Sequence, residues 1–261
     1  MLAYWIEERE AIRVLKEDGE PRPWSDDRVF QTTYFTNVHR EDDRVTKWVR
    51  ENYTYNSLSQ SLELGMVAAR IFNYPPTLLR VLGYLNPYRM NTLASMLEDL
   101  QKEKIQIWGG AYLITTHGQK MSKIDYCVEL LQEANMLLPY KHGTTCREYY
   151  DRLMIIDGIG SFLAAQVVAD LKNTEGHVLQ NADDRMSFSA PGPGSLRGLA
   201  WYWEHDKVTP GEYPRLIRGV ADDLYWIGEM QDLQNCMCEF DKYCRVLTGT
   251  GRSKRKYNGG N

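Results

Sequence analysis

Long apolar runs are missing from this sequence. No stretch approaches the roughly 20 residues of a membrane-spanning helix, so no membrane partner is expected. Cysteine is scarce and odd in number. Cys127, Cys146, Cys236, Cys238 and Cys244 are scattered through 261 residues, which argues for reduced thiols rather than a disulfide framework. Cys236 and Cys238 form a C-x-C with no matching His or Cys pair nearby, so no structural zinc site is expected. An excess of positive charge is also lacking. The formal net charge is -4, and any contact with nucleic acid must come from a local basic surface. The stretch Arg252-Ser-Lys254-Arg255-Lys256-Tyr257 is the obvious candidate for one. The N-terminus, Met1-Leu-Ala-Tyr-Trp-Ile-Glu-Glu-Arg9, turns acidic too early for a signal peptide, which points to the cytoplasm. Alternating strand patterns, internal repeats and low-complexity segments are absent apart from the last few residues.

What is present is an ordinary globular composition, 43% hydrophobic and 25% charged, long enough for a large core in one helical domain or two lobes. Residues 1–250 are expected to form that body, with 251–261 as a flexible basic tail. Apolar spacing predicts helices over 2–17, 57–73, 89–103, 120–136 and 214–248, so the fold class is all-α. If the chain from Phe35 onward is helical, Asn37, Arg40, Arg44 and Lys47 line one side. That strip suits an anion, or is simply a solvated face. Arg70, on an otherwise apolar helix, needs an anionic partner if buried, whether structural or a substrate.

At about 149–171 two helices meet in Asp157-Gly158-Ile-Gly160-Ser161. Gly158 and Gly160 supply backbone freedom, and Ser161 reads as the cap of the second helix. This is the pattern of a helix-hairpin-helix, whose bare N–H groups suit a DNA phosphate; an ordinary helix–helix turn is the plainer reading. Beyond it, Asp183 and Asp184 lie side by side in a glycine-bearing loop, a place for a cation, a pairing with Arg185 or a plain cap. Pro191-Gly-Pro-Gly-Ser-Leu-Arg197 offers backbone N–H groups and a guanidinium, but it matches no nucleotide-binding P-loop. In the last helix Asn235, Glu239 and Lys242 form a polar stripe, with Tyr243 and Arg245 alongside. It reads as a partly buried polar site or as a salt-bridged surface.

Four segments occur in order around the hairpin: Tyr34-Phe-Thr-Asn37-Val-His-Arg40, Arg70-Ile-Phe-Asn73, Gly192-Pro-Gly-Ser-Leu-Arg197-Gly198 and Cys238-Glu-Phe-Asp-Lys-Tyr-Cys-Arg245. Over roughly residues 30 to 257 the chain resembles the α-glutamyl/putrescinyl-thymine pyrophosphorylase group of phage thymidine hypermodification. It is similar also to the helical module of 5-hydroxymethyl-deoxyuridine DNA kinases. The resemblance implies a DNA glycosylase-like helix-hairpin-helix fold. It also implies a bacteriophage enzyme, working in the host cytoplasm, that transfers an amino acid or polyamine onto pyrophosphorylated 5-hydroxymethyl-deoxyuridine in double-stranded DNA. The related kinases carry a P-loop domain and this sequence shows none, which favours the transferase. The catalytic Asp of hairpin glycosylases lies about twenty residues past the hairpin glycines. Asp183 and Asp184 lie slightly later in an unlike context, which argues against base excision.

On that reading Asp184, Glu239 and Lys242 are the candidate catalytic residues, with Asp184 or Glu239 taking a proton from the amine. Arg40, Arg70, Lys242 and Arg245 would neutralise the departing pyrophosphate, while Arg197 binds a donor carboxylate or a phosphate. Asn37, Asn73, Arg185 and Tyr243 complete the substrate-facing set. Gly158, Gly160, Ser161, Lys254, Arg255 and Lys256 would hold DNA phosphates. Mg²⁺ suits a pyrophosphate and an Asp pair, but no ligand spacing calls for it. A non-catalytic DNA-binding module, a DNA glycosylase and a kinase-related protein are the alternatives.

Overall fold

The computed structural model describes residues 1–54, 61–86, 88–110, 114–138 and 144–251. Among these residues no strand forms, and α-helices carry the fold. They are α1 (Leu2–Glu17), α2 (Arg28–Thr32), α3 (Arg44–Asn52), α4 (Leu62–Phe72), α5 (Pro75–Val81) and α6 (Leu93–Lys102). After them come α7 (Lys123–Leu137), α8 (Cys146–Leu153), α9 (Ser161–Lys172), α10 (Pro193–Trp203), α11 (Tyr213–Asp223) and α12 (Met230–Leu247). No helix of the described residues is long and apolar enough to cross a membrane.

Local chemistry explains the starts. Side-chain oxygens of Asp27, Ser61 and Ser122 accept the orphan N–H groups of α2, α4 and α7, and Thr145 with Glu148 closes a capping box on α8. Prolines occupy the first turns of α5, α10 and α11, where no N–H is needed. The Pro75-Pro76 pair therefore ends one helix and begins the next.

Residues 1–43 and 189–261 form one compact unit, and residues 44–188 another. In the first, Trp5, Phe30 and Phe35 pack ring against ring, and Leu199, Leu233, Met237 and Phe240 continue the same core. In the second, α4 is buried along its whole length and packs on α7 and α9.

Three expectations need correction. The segment after Phe35 is not a helix: Asn37 lies in chain without regular secondary structure, Arg40 opens a short 3₁₀ turn, and Arg44 and Lys47 sit on α3. Asn37, Arg40, Arg44 and Lys47 therefore share no helical face. The helix expected over 214–248 is two, because Tyr225 turns left-handed at φ +50° and Gly228 follows. Of the helix expected over 57–73, the described part runs from Leu62 to Phe72; residues 55–60 lie outside the described residues.

Candidate functional site

The loop Pro191-Gly-Pro-Gly-Ser-Leu-Arg197 is the opening turn of α10, and its glycines explain what it packs against. A Cβ on Gly198 would lie 2.0 Å from the carbonyl oxygen of Met237, and one on Gly194 would lie 3.1 Å from Cys238 Sγ. With hydrogen in those places, α10 approaches the α12 backbone at Gly198 and the Cys238 side chain at Gly194, and the two helices lie together. The two last motifs quoted above thus form one interface.

That approach brings two i, i+4 pairs together, Arg197 with Trp201 on α10 and Asp241 with Arg245 on α12. Asp241 is 1% exposed. Its carboxylate accepts from Arg197 Nε at 3.0 Å, from Arg245 Nε at 3.2 Å and from Trp201 Nε1 at 3.3 Å. Two guanidiniums share one buried anion, so one positive charge stays uncompensated within the group. The Arg197 side chain remains 54% exposed and that of Arg245 34%. Both border a cleft of about 620 Å³, lined also by Trp201, Glu204, His205 and Asp206.

The polar stripe of α12 lies on another face. Glu239 accepts the Thr36 N–H at 3.1 Å and pairs with Lys242 at 2.6 Å. Lys242 donates to the Tyr34 carbonyl at 3.1 Å, and Asn235 donates to the Asn37 carbonyl at 3.3 Å. Arg9 donates to the Asn37 side chain and to the Thr36 carbonyl. Asp232 accepts the Arg40 N–H, and the same carboxylate, by hydrogen bonding to His39, holds that imidazole's pKa above its ordinary value. Tyr243 donates to Asp27 at 2.7 Å. Burial first, then that hydrogen bond, pushes its phenol above the usual range. Chain outside regular secondary structure lacks ladder partners for its backbone groups, and these side chains supply them. Of the residues expected at a substrate, Glu239 and Lys242 are engaged with the segment 34–37, Tyr243 with Asp27, and the Asn37 side chain with Arg9.

In the other unit Arg70 and Asp170 are both fully buried and form a two-pronged pair at 2.5 Å. Arg70 also donates to Asn73 and Thr46. The anion that Arg70 requires is structural, and a pyrophosphate has no access to it. Asn73 is the left-handed cap of α4, and its side chain holds Arg70. Arg185 donates to the Asn173 side chain at 2.7 Å and to the Lys172 carbonyl.

Asp184 accepts the N–H groups of Cys146 and Arg147 at 2.7 and 2.9 Å, capping α8 from a distant loop. Asp184→Ala should therefore lower stability by about 1 kcal/mol, read from the midpoint of a urea melt; an unchanged midpoint would show that the cap carries no stability. Gly158 has φ +86°, and a Cβ there would lie 2.3 Å from the Tyr126 hydroxyl; both features require glycine. Gly160, with an ordinary φ, is itself the N-cap of α9, and Ser161 is the first helical residue rather than the cap. Lys254, Arg255 and Lys256 lie outside the described residues.

The thiols are not poised as nucleophiles. Burial pushes Cys238 up to about 12, with nearby Glu239 adding to it, and fully buried Cys236 is raised well above its ordinary value. Sequence reasoning missed Asp241 and Trp201. Their signal was the two i, i+4 pairs with Arg245 and Arg197, which becomes meaningful only once α10 and α12 are known to touch.

The chain matches the family described as 5-hmdU DNA kinase, helical domain, over residues 1–253. It is 23% identical over 269 residues to the 5-hmdU DNA kinase of Bacillus phage SP10, which covers 86% of this chain and 41% of that protein. The chain thus spans less than half the length of that relative. No solved structure matches it.

Proposed function

The chain belongs to the 5-hmdU DNA kinase helical-domain family, and from that premise we propose that it is a transferase of phage DNA hypermodification. Its substrate is DNA carrying modified thymine. Its reaction replaces the pyrophosphate of pyrophosphorylated 5-hydroxymethyl-deoxyuridine by the amine of an amino acid or polyamine, in the host cytoplasm. The observation that supports this reading is the sharing of Asp241 by Arg197 and Arg245 at the edge of a cleft. Preorganised guanidiniums suit an oxyanion leaving group, because they stabilise the charge as it develops.

In the step itself the amine nitrogen forms a bond to the methylene carbon while the carbon–oxygen bond to pyrophosphate breaks. Pyrophosphate leaves with the bonding pair. The amine proton passes to an acceptor lining the cleft, Glu204, His205 or Asp206, in the part first given to Asp184 or Glu239. No group of three or more His, Cys, Asp or Glu among the described residues is arranged to hold a metal ion, so Mg²⁺ would enter with the pyrophosphate. The turn from α8 to α9, read as the hairpin of a glycosylase-like fold, presents the first turn of α9, whose N-cap Gly160 has no side chain, to a DNA phosphate.

A second reading is favoured by the name of the phage relative: a helical module that holds modified DNA for a kinase. Mass spectrometry of nucleosides separates the two. Duplex DNA bearing pyrophosphorylated hydroxymethyl-uracil is incubated with the chain and a mixture of amino acids and putrescine. A mass gain of one amine with release of pyrophosphate is expected, and Arg197→Gln or Arg245→Gln should each slow it by about 100-fold. An unchanged base despite DNA binding would overturn the transferase and leave the module; free base would indicate a glycosylase.

A further inference from the structure

The chain has seven tryptophans, and six of them pack a ring or a cation. Trp5 meets Phe30, Trp48 meets Tyr53, Trp203 meets Tyr202 and Trp226 meets His39. Lys16 and Lys123 lie over Trp24 and Trp108. Trp201 differs. Among the described residues no ring or cation covers its indole, which is 41% exposed in the wall of the cleft between Arg197 and Arg245. Its indole is nonetheless oriented, because Nε1 donates to the buried Asp241 at 3.3 Å. A held, uncovered aromatic face beside two cations is complementary to a flat ring that carries a phosphate.

We infer that Trp201 is a stacking platform for an unpaired pyrimidine, and that the cleft takes a nucleotide out of the duplex, its base on the indole and its phosphate at Arg197 and Arg245. A stacked base in a duplex has both faces covered and cannot reach such a platform, so the cleft would discriminate by strandedness before it discriminates by modification. The volume of about 620 Å³ falls in the usual range for ligand pockets. Asp241 acts here as a positioning residue, since one carboxylate sets the indole and both guanidiniums at once. The inference rests on the same cleft as the proposed transfer, but it concerns the base rather than the leaving group.

The test uses unmodified DNA. Fluorescence anisotropy follows the full chain binding a labelled single-stranded oligothymidylate and the same strand in a duplex, for the native protein, Trp201→Ala and Trp201→Phe. Calorimetry follows inorganic pyrophosphate in parallel, and urea melts confirm that each variant is folded. Single strand should bind more tightly than duplex. Trp201→Ala should weaken single-strand binding by roughly 10- to 100-fold, and Trp201→Phe should recover most of it, since phenylalanine restores a ring face without the hydrogen bond. Pyrophosphate affinity should change by less than about two-fold, because the guanidiniums remain. Equal binding of single strand by native protein and Trp201→Ala would overturn the platform. If the oligonucleotide result holds and pyrophosphate does not bind, the transfer reading fails and the platform stands.

Discussion

Asp170→Ala is expected to destabilise the unit of residues 44–188 by about 3–5 kcal/mol, a large share of the stability of an ordinary domain. The carboxylate is fully buried and takes both Arg70 prongs at 2.5 Å, with Arg50 Nη2 on the same oxygen Oδ1 at 3.1 Å. Deleting it leaves a buried guanidinium without its carboxylate, with neutral partners such as Asn73 and Thr46 in its place. The measurement is the urea midpoint of the whole chain, followed by a probe confined to this unit, such as hydrogen exchange in α4 and α9. The double variant Arg70→Met, Asp170→Leu should recover most of the loss, since an apolar pair carries no desolvation cost. If Asp170→Ala left the midpoint unchanged and abolished transfer alone, Arg70 would return to the candidate substrate-binding residues.

The sequence pattern was most informative where structure is local. Helix α1 is legible from Leu2, Trp5 and Ile12, and α7 from its apolar period, with Ser122 at its head. Arg70 announced a need for an anion, because a charged group on an apolar helix has few other solutions, but nothing local pointed to Asp170, 100 positions away. The segment 34–37 misled for a related reason. Its backbone groups are met by Asn235, Glu239 and Lys242, about two hundred residues on, so a non-helical course was stabilised by contacts that no window contains. The stripe of α12 was read with the right spacing and the wrong partner. Moving from Glu239 to Asp241 turns about 200° around the helix, from a face that holds the chain to a face that borders the cleft. Tertiary contacts decide which of the two is free for a ligand, and helical periodicity treats both alike.

Gly198→Ala tests that arrangement directly and should cost about 3 kcal/mol, at the upper end for an overpacked contact. The added carbon would stand 2.0 Å from the Met237 oxygen, 2.7 Å from its carbonyl carbon and 3.1 Å from its Cα. These are backbone atoms in the middle of α12, tied into its hydrogen-bond ladder, so no rotamer change relieves the clash. The helices must separate, and separation draws Arg197 and Trp201 on α10 away from Asp241 on α12. Stability and ligand binding should therefore fall together, with pyrophosphate affinity down by at least about ten-fold, given the roughly 1.4 kcal/mol that each decade represents. Gly194→Ala is the matched control. Its Cβ would meet the Cys238 side chain at 3.1–3.2 Å and the Cys238 Cα at 3.4 Å. The helix-propensity gain of alanine over glycine, about 1 kcal/mol, offsets that strain. It should melt within about 1 kcal/mol of the native protein and bind pyrophosphate normally. If Gly198→Ala melted like the native protein, the close approach of α10 to α12 would be wrong, and the shared carboxylate that depends on it would go too. If it lost stability while binding pyrophosphate at full affinity, the fold would stand and the anion site would have to lie elsewhere.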